Sequence, residues 1–231
     1  MRANDPNLPR LESIVRALGN AADDVVIVGG CAAGLLITDA AQSLIRTTLD
    51  VDAVVEVFSL IEYYQFEEKL RELGFKQPPE IDGPKCRWFY GDTQFDLMAS
   101  QPGVTADSNP WYPLAVETAE EQQLPSGLDF KLISAPVFLG TKLSAFADRG
   151  GGDYYASQDM EDIFAVIDGR AEIVQEMETA NPELRQFVRD ELRAHKEQRD
   201  FWDSLTGFYR AASEESDRVP DFRRRLQSML E

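Results

Sequence analysis

Apolar positions along the first half of the chain switch between a helical period and a strand period. Leu11, Ile14, Val15 and Leu18 recur at helical spacing and stop at Gly19-Asn20, which predicts a helix over residues 9–19. Residues 25–28 (VVIV) form a short continuous apolar run, the pattern of a buried strand. After Gly29-Gly30, residues 31–38 are small and apolar, as in a helix packed under a sheet. Residues 51–58 are β-branched and apolar and predict a central strand. Were this strand parallel to 25–28, the crossover between them should be right-handed. Helical spacing returns over 60–73 (Leu60, Tyr63, Tyr64, Leu70, Leu73), with Gly74 as the cap.

Pro78-Pro79 and Asp82-Gly83 mark a loop. Residues 86–90 and 93–98 predict two strands joined by a tight Gly91-Asp92 turn. Residues 100–128 are loop-rich with a helical patch near 113–123, and 130–133 predict another strand. From Ala135 onward the pattern is almost entirely helical. Asn181-Pro182-Glu183 opens one helix, and 218–230 forms the last. The expected class is α+β: a small mixed sheet flanked by helices, then a helical C-terminal half. The expected division is an α/β core over 1–134 and a helical domain over 135–231.

Composition narrows the class of activity. In 231 residues, 43% hydrophobic and 10% aromatic content suits a folded globular protein. No apolar run approaches the ~20 residues that span a bilayer, and the N-terminus lacks a signal-peptide core, so a cytoplasmic location and no membrane partner are expected. Two cysteines, Cys31 and Cys86, with the lone His195, do not make a zinc set, which favours oxygen-ligated Mg²⁺ or Mn²⁺. The net charge of −18 is spread along the chain. It predicts a solvated acidic surface, of the kind a high-salt cytoplasm favours, and long-range repulsion of nucleic acid.

The candidate chemistry lies on the strands. Asp50 and Asp52 sit two residues apart, on one face of a strand and roughly 6.6 Å apart along it at about 3.3 Å per residue. Like charges about 4 Å apart repel by roughly 4 kcal/mol at an effective dielectric near 20. A divalent cation between them would relieve that repulsion. Asp96, in the apolar run Phe95-Asp96-Leu97-Met98, supplies a third carboxylate if its strand is adjacent. Gly29-Gly30 lets backbone amides approach a phosphate at a helix N-terminus, although the pattern fits neither a dinucleotide fingerprint nor a Walker loop. His195 falls on a charged helix and is expected at the surface. Asn109-Pro110-Trp111-Tyr112 is expected to plug the core under a loop rather than to stack a base. Arg223-Arg224-Arg225 is expected as a solvated helix end, with RNA contact as the alternative.

The run Gly29, Gly30, Arg46, Thr48, Asp50 and Asp52 resembles the nucleotidyltransferase superfamily, and within it the AbiEii-like toxins of type IV toxin–antitoxin systems. Residues 134–170 add Lys142, Arg149, Asp159 and Asp162, similar to the later motifs of that group. The resemblance covers about residues 20–170. It departs from the family in a longer gap between the glycines and Asp50, and in Gly30 standing where a serine is common.

The resemblance implies two Mg²⁺ ions about 3.5–4 Å apart on Asp50, Asp52 and Asp96. It also implies an NTP triphosphate on Gly29, Gly30, Arg46, Thr48 and Lys142. The implied reaction moves NMP from an NTP to a hydroxyl of a tRNA 3′ end, a protein or a small molecule, with release of pyrophosphate. A toxin role would bring an antitoxin partner. The competing expectation is an inactive nucleotide-binding module that works through protein partners.

Overall fold

In the computed structural model, residues 5–39, 45–78, 85–106, 108–149, 151–211 and 218–231 are described. They include helices α1 (Leu8–Leu18), α2 (Gly29–Leu36), α3 (Leu60–Glu72), α4 (Tyr112–Glu117), α5 (Ala135–Arg149), α6 (Gln158–Gly169), α7 (Ile173–Thr179), α8 (Pro182–Lys196), α9 (Arg199–Ala211) and α10 (Arg218–Leu230). The strands are β1 (Val25–Val28), β2 (Asp50–Val55), β3 (Arg87–Tyr90), β4 (Thr93–Ala99), β5 (Glu120–Gln123) and β6 (Asp129–Leu132). Pro79, Asp82 and Gly83, expected in a loop, lie outside the described residues, as does the side chain of Arg149. The chain divides into two units, residues 1–32 with 46–134, and residues 33–45 with 135–231.

The first unit holds one mixed sheet in the order β3-β4-β2-β1-β6-β5. Strands β2 and β4 run parallel, as do β1 and β6, while β1–β2, β3–β4 and β5–β6 are antiparallel. Because β1 and β2 are antiparallel, the right-handed crossover expected for a parallel pair does not arise. A second departure is β5. Its sequence Glu120-Glu121-Gln122-Gln123 has no apolar side and falls in the helical patch expected near 113–123, yet it pairs with β6 as an edge strand. Backbone pairing, which carries no sequence signature, overrides propensity there.

Apolar periodicity explains the packing around the sheet. Leu11, Ile14, Val15 and Leu18 put one face of α1 into the core, and the helix stops at Gly19 in a positive-φ conformation. Tyr63, Phe66 and Leu70 bury the face of α3, and the Tyr63 hydroxyl donates to the Leu97 carbonyl at 2.8 Å. Trp88 and Phe95 are fully buried cross-strand partners on β3 and β4.

The second unit is helical. Asn181 caps α8, its Oδ1 accepting from the amides of Glu183 and Leu184. Arginines close the C-terminal end of α6: Arg225 donates to the carbonyls of Ile167 and Asp168, and Arg218 Nε reaches Asp168 at 2.9 Å. His195 departs from the surface position expected for it. It is buried among Phe146, Tyr154 and Phe201, with Nδ1 2.8 Å from the Tyr154 hydroxyl. Its neighbours along α8 are charged, but its own helical face is the apolar one that also buries Leu184, Val188 and Leu192. Among the described residues no helix is long and apolar enough to cross a membrane.

Candidate active site

The parallel register of β2 and β4 sets Asp52 directly beside Asp96, and Asp50 beside Gln94. Registered neighbours project from the same face of a sheet, as do residues two apart on one strand. Asp50, Asp52, Gln94 and Asp96 therefore share a face near the start of β2. One oxygen from each of the three aspartates lies within 4.8 Å of the others. Alternation on β2 fits this placement: Val51 and Ala53 are buried beneath while Asp50 and Asp52 are half-buried.

The row continues outward on both sides. On one side Val28 faces Asp52 across the antiparallel β1–β2 pair. The chain then turns at Gly29, whose φ is +64° and where an added Cβ would stand 2.5 Å from Asp52 Cγ. Glycine is required there for conformation and for clearance alike. Gly29 opens α2, so the glycine pair stands at a helix N-terminus beside Asp52.

On the other side Arg87 of β3 is the registered partner of Asp96. Its guanidinium grips that carboxylate through both oxygens, Nε to Oδ1 at 3.1 Å and Nη2 to Oδ2 at 2.9 Å. These hydrogen bonds to Asp96 raise the Arg87 pKa against the opposing effect of burial. Gln94 Nε2 lies between two carboxylates, 3.2 Å from Asp96 Oδ2 and 3.4 Å from Asp50 Oδ2.

Thr48 and Arg46 enter through the segment that leads into β2. The Thr48 hydroxyl donates to Asp50 Oδ1. The segment is held by the buried side chain of Asn7, whose Oδ1 accepts from the Thr48 amide and whose Nδ2 donates to the Arg46 carbonyl, both at 2.9 Å. Asn7 thus pairs with the segment as a neighbouring strand would. In the first turn of α2, burial first, and then Asp5, Asp52 and Asp50, push the Cys31 thiol far up. It remains a neutral thiol, unsuited as a nucleophile or a soft metal ligand.

Lys142 lies in the second unit, on α5. It is buried between two carboxylates of α6, 3.0 Å from Asp159 and 2.7 Å from Asp162. Burial alone would lower its pKa, but Asp162 and Asp159 together raise it, so the ammonium stays charged. The basic run of the last helix is engaged within the same unit. Arg223 lies over the Trp202 ring, Arg224 pairs with Asp221, and Arg225 binds the end of α6. Trp111 and Tyr112 are half-buried at the start of α4, which packs on β1 and β2.

The structure thus brings Asp50, Asp52, Asp96, Thr48 and Gly29 together, and adds Arg87, Gln94 and Asn7, which sequence reasoning missed. For Arg87 a signal existed. Counting back from a two-residue turn at Gly91-Asp92 places Arg87 opposite Asp96. For Asn7 there was none, since its contact spans about forty residues of sequence.

No protein-family model matches the chain, and no curated protein sequence does. Among solved structures, the chain is similar to an antigenic nucleotidyltransferase-like protein from Paracoccidioides brasiliensis. The identity is 21% and the TM-score 0.50, over 87% of this chain and 93% of that one. It is also similar to the antibiotic-resistance factor ANT(2″)-Ia, at 14% identity and a TM-score of 0.47, over 82% and 92%. The first likeness shows the fold: a nucleotidyltransferase-like mixed sheet flanked by helices.

Proposed function

We propose that the chain transfers a nucleoside monophosphate from an NTP to a hydroxyl acceptor. A bond forms between the acceptor oxygen and the α-phosphorus, the bond from that phosphorus to the β-phosphate bridge breaks, and pyrophosphate leaves. The observation that carries this reading is the meeting of Asp50, Asp52 and Asp96 within 4.8 Å beside Gly29, on this fold. Three carboxylates and no soft donor suit a hard divalent cation, Mg²⁺ or Mn²⁺. When bound, such a cation supplies positive charge to the acceptor oxygen and the phosphates.

The chain's own groups do the rest. Amides at Gly29 and Gly30 bind the β- and γ-phosphates at the start of α2, and Thr48 orients Asp50. Asp96 orients the acceptor hydroxyl and takes its proton. Arg46 enters beside Thr48 as a balancing charge. For Lys142, the ion pairs with Asp159 and Asp162 favour a buried strut between α5 and α6 over a charge on the triphosphate.

The tRNA acceptor and toxin role implied by the AbiEii-like resemblance are not favoured by the charge. A surface of −18, with Arg223, Arg224 and Arg225 engaged by their own neighbours, suits a protein or small-molecule hydroxyl better than RNA. The test is incubation with each α-labelled NTP, Mg²⁺ or Mn²⁺, and in parallel total tRNA, protein extract and aminoglycosides. Label should move to an acceptor with the wild type and not with Asp52→Ala. Binding of NTP with equal, negligible pyrophosphate release by both proteins and every acceptor would establish the inactive binding module instead.

A further inference from the structure

The guanidinium of Arg87 occupies both oxygens of Asp96, one of the three carboxylates assigned to the metal. A carboxylate that accepts two charge-assisted hydrogen bonds has fewer lone pairs left for a cation. Gln94 takes a further position on the same Oδ2. Resting on the metal-site reading above, we infer that Arg87 is an internal counter-ion that competes with the cation for Asp96. Asp96 is open to the cation only when Arg87 gives way.

The direction of the effect follows from charge. Removing Arg87 takes one positive charge from beside the cation and releases Asp96 Oδ1, while Gln94 still donates to Oδ2. Arg87 is about one-third exposed and Asp96 one-tenth, so the interaction is only partly screened by solvent. A unit charge near a divalent ion under such screening changes affinity by roughly tenfold. If Arg87 instead served mainly to hold Asp96 in place for the cation, its removal would weaken binding.

The experiment is Mn²⁺ titration by electron paramagnetic resonance, at fixed ionic strength, of the wild type, Arg87→Met, Arg87→Lys, Asp52→Asn and Asp96→Asn. Circular dichroism and urea midpoints check the folding of each. Arg87→Met is expected to bind Mn²⁺ about tenfold more tightly. Arg87→Lys should remain near the wild type, because charge is retained although the fork is lost. Unchanged or weaker binding by a folded Arg87→Met, with the wild type binding and both Asp→Asn variants impaired, overturns the competition and leaves the metal site standing. No Mn²⁺ binding by any protein, or binding indifferent to both Asp→Asn changes, removes the metal site and the competition together. A measurement on the wild type is independent of variant folding. Titration with Mg²⁺ should shift the Arg87 Nε resonance as its hydrogen bond to Asp96 is lost, and a resonance that stays fixed through saturation overturns the inference.

Discussion

Gly29→Ala is the sharpest probe of how the glycine turn and the carboxylates depend on each other. Two penalties fall on that one methyl group. The first is conformational: at φ +64° an L-residue with a Cβ costs about 1–2 kcal/mol. The second is steric: the new Cβ stands 2.5 Å from Asp52 Cγ and 2.7 Å from its Cβ, with the carboxylate oxygen Oδ2 closer still. Ordinary contact begins at 3.4 Å, so the Asp52 carboxyl must retreat by about 0.9 Å (3.4 less 2.5) or the turn must open. A displacement of about 1 Å at a reacting centre is worth roughly 10²-fold in rate.

Gly91→Ala is the matched control. It has a similar φ of +56°, with nothing within 4 Å of the added carbon. Urea denaturation should show Gly91→Ala losing only the conformational penalty and Gly29→Ala losing more. Mn²⁺ affinity and pyrophosphate release should fall in Gly29→Ala alone. Equal stability losses together with wild-type Mn²⁺ affinity in Gly29→Ala would refute the close approach of this turn to Asp52.

Three further outcomes are expected. Asn7→Ala removes two hydrogen bonds to the 46–48 segment and should cost about 1–3 kcal/mol in urea denaturation, while also weakening Mn²⁺ binding because Thr48 and Asp50 lose their support; intact metal binding would show that the clamp does not position the site. Lys142→Met leaves Asp159 and Asp162 buried without their cation and should destabilise by about 3–5 kcal/mol, with stability regained when both aspartates become Asn; NTP affinity in that triple variant then reports whether Lys142 touches nucleotide. Burial lowers the His195 pKa, so the unfolded chain binds a proton at a pH where the native chain does not. Stability should accordingly fall as pH drops below about 6.5 towards the depressed native value. His195→Gln should flatten that limb of a pH series of urea midpoints, and an unaltered slope would refute the assignment.

Elements with a strong apolar period were legible before any coordinates. The face of α1, the apolar run of β1 and the Asn181 cap of α8 all follow from local sequence. So does the small mixed sheet flanked by helices. In α3, by contrast, Leu60 and Tyr64, expected on the apolar face, are exposed and Phe66 takes the buried position. What escaped was non-local or polar. β5 carries only Glu and Gln, and strand pairing alone defines it. The direction of β2 against β1 depends on the intervening connection, about which apolar runs say nothing. The burial of His195 depends on Tyr154 and Phe201, which approach from elsewhere in the second unit.

The candidate site divides the same way. The aspartates are conspicuous because carboxylates inside apolar strands are costly, whereas Arg87, Gln94 and Asn7 look like ordinary surface residues until register and tertiary contact place them. Arg223 and Arg224 are exposed, as expected of a solvated helix end, and what the run itself did not show is its local partners, Trp202, Asp221 and the end of α6.

The order β3-β4-β2-β1 puts Asp50, Asp52 and Asp96 on interior strands and Arg87 on the rim. Among the described residues β3 pairs with β4 along one side and meets Lys76 through Phe89 on the other, and strands at a sheet rim loosen at lower free energy than the interior. Fraying of β3 can therefore swing the guanidinium aside while the hydrogen-bonded seam between β2 and β4 stays closed. Rigidity and mobility are in this way assigned to different strands, and the acidic cluster keeps its spacing while its cationic neighbour is exchanged.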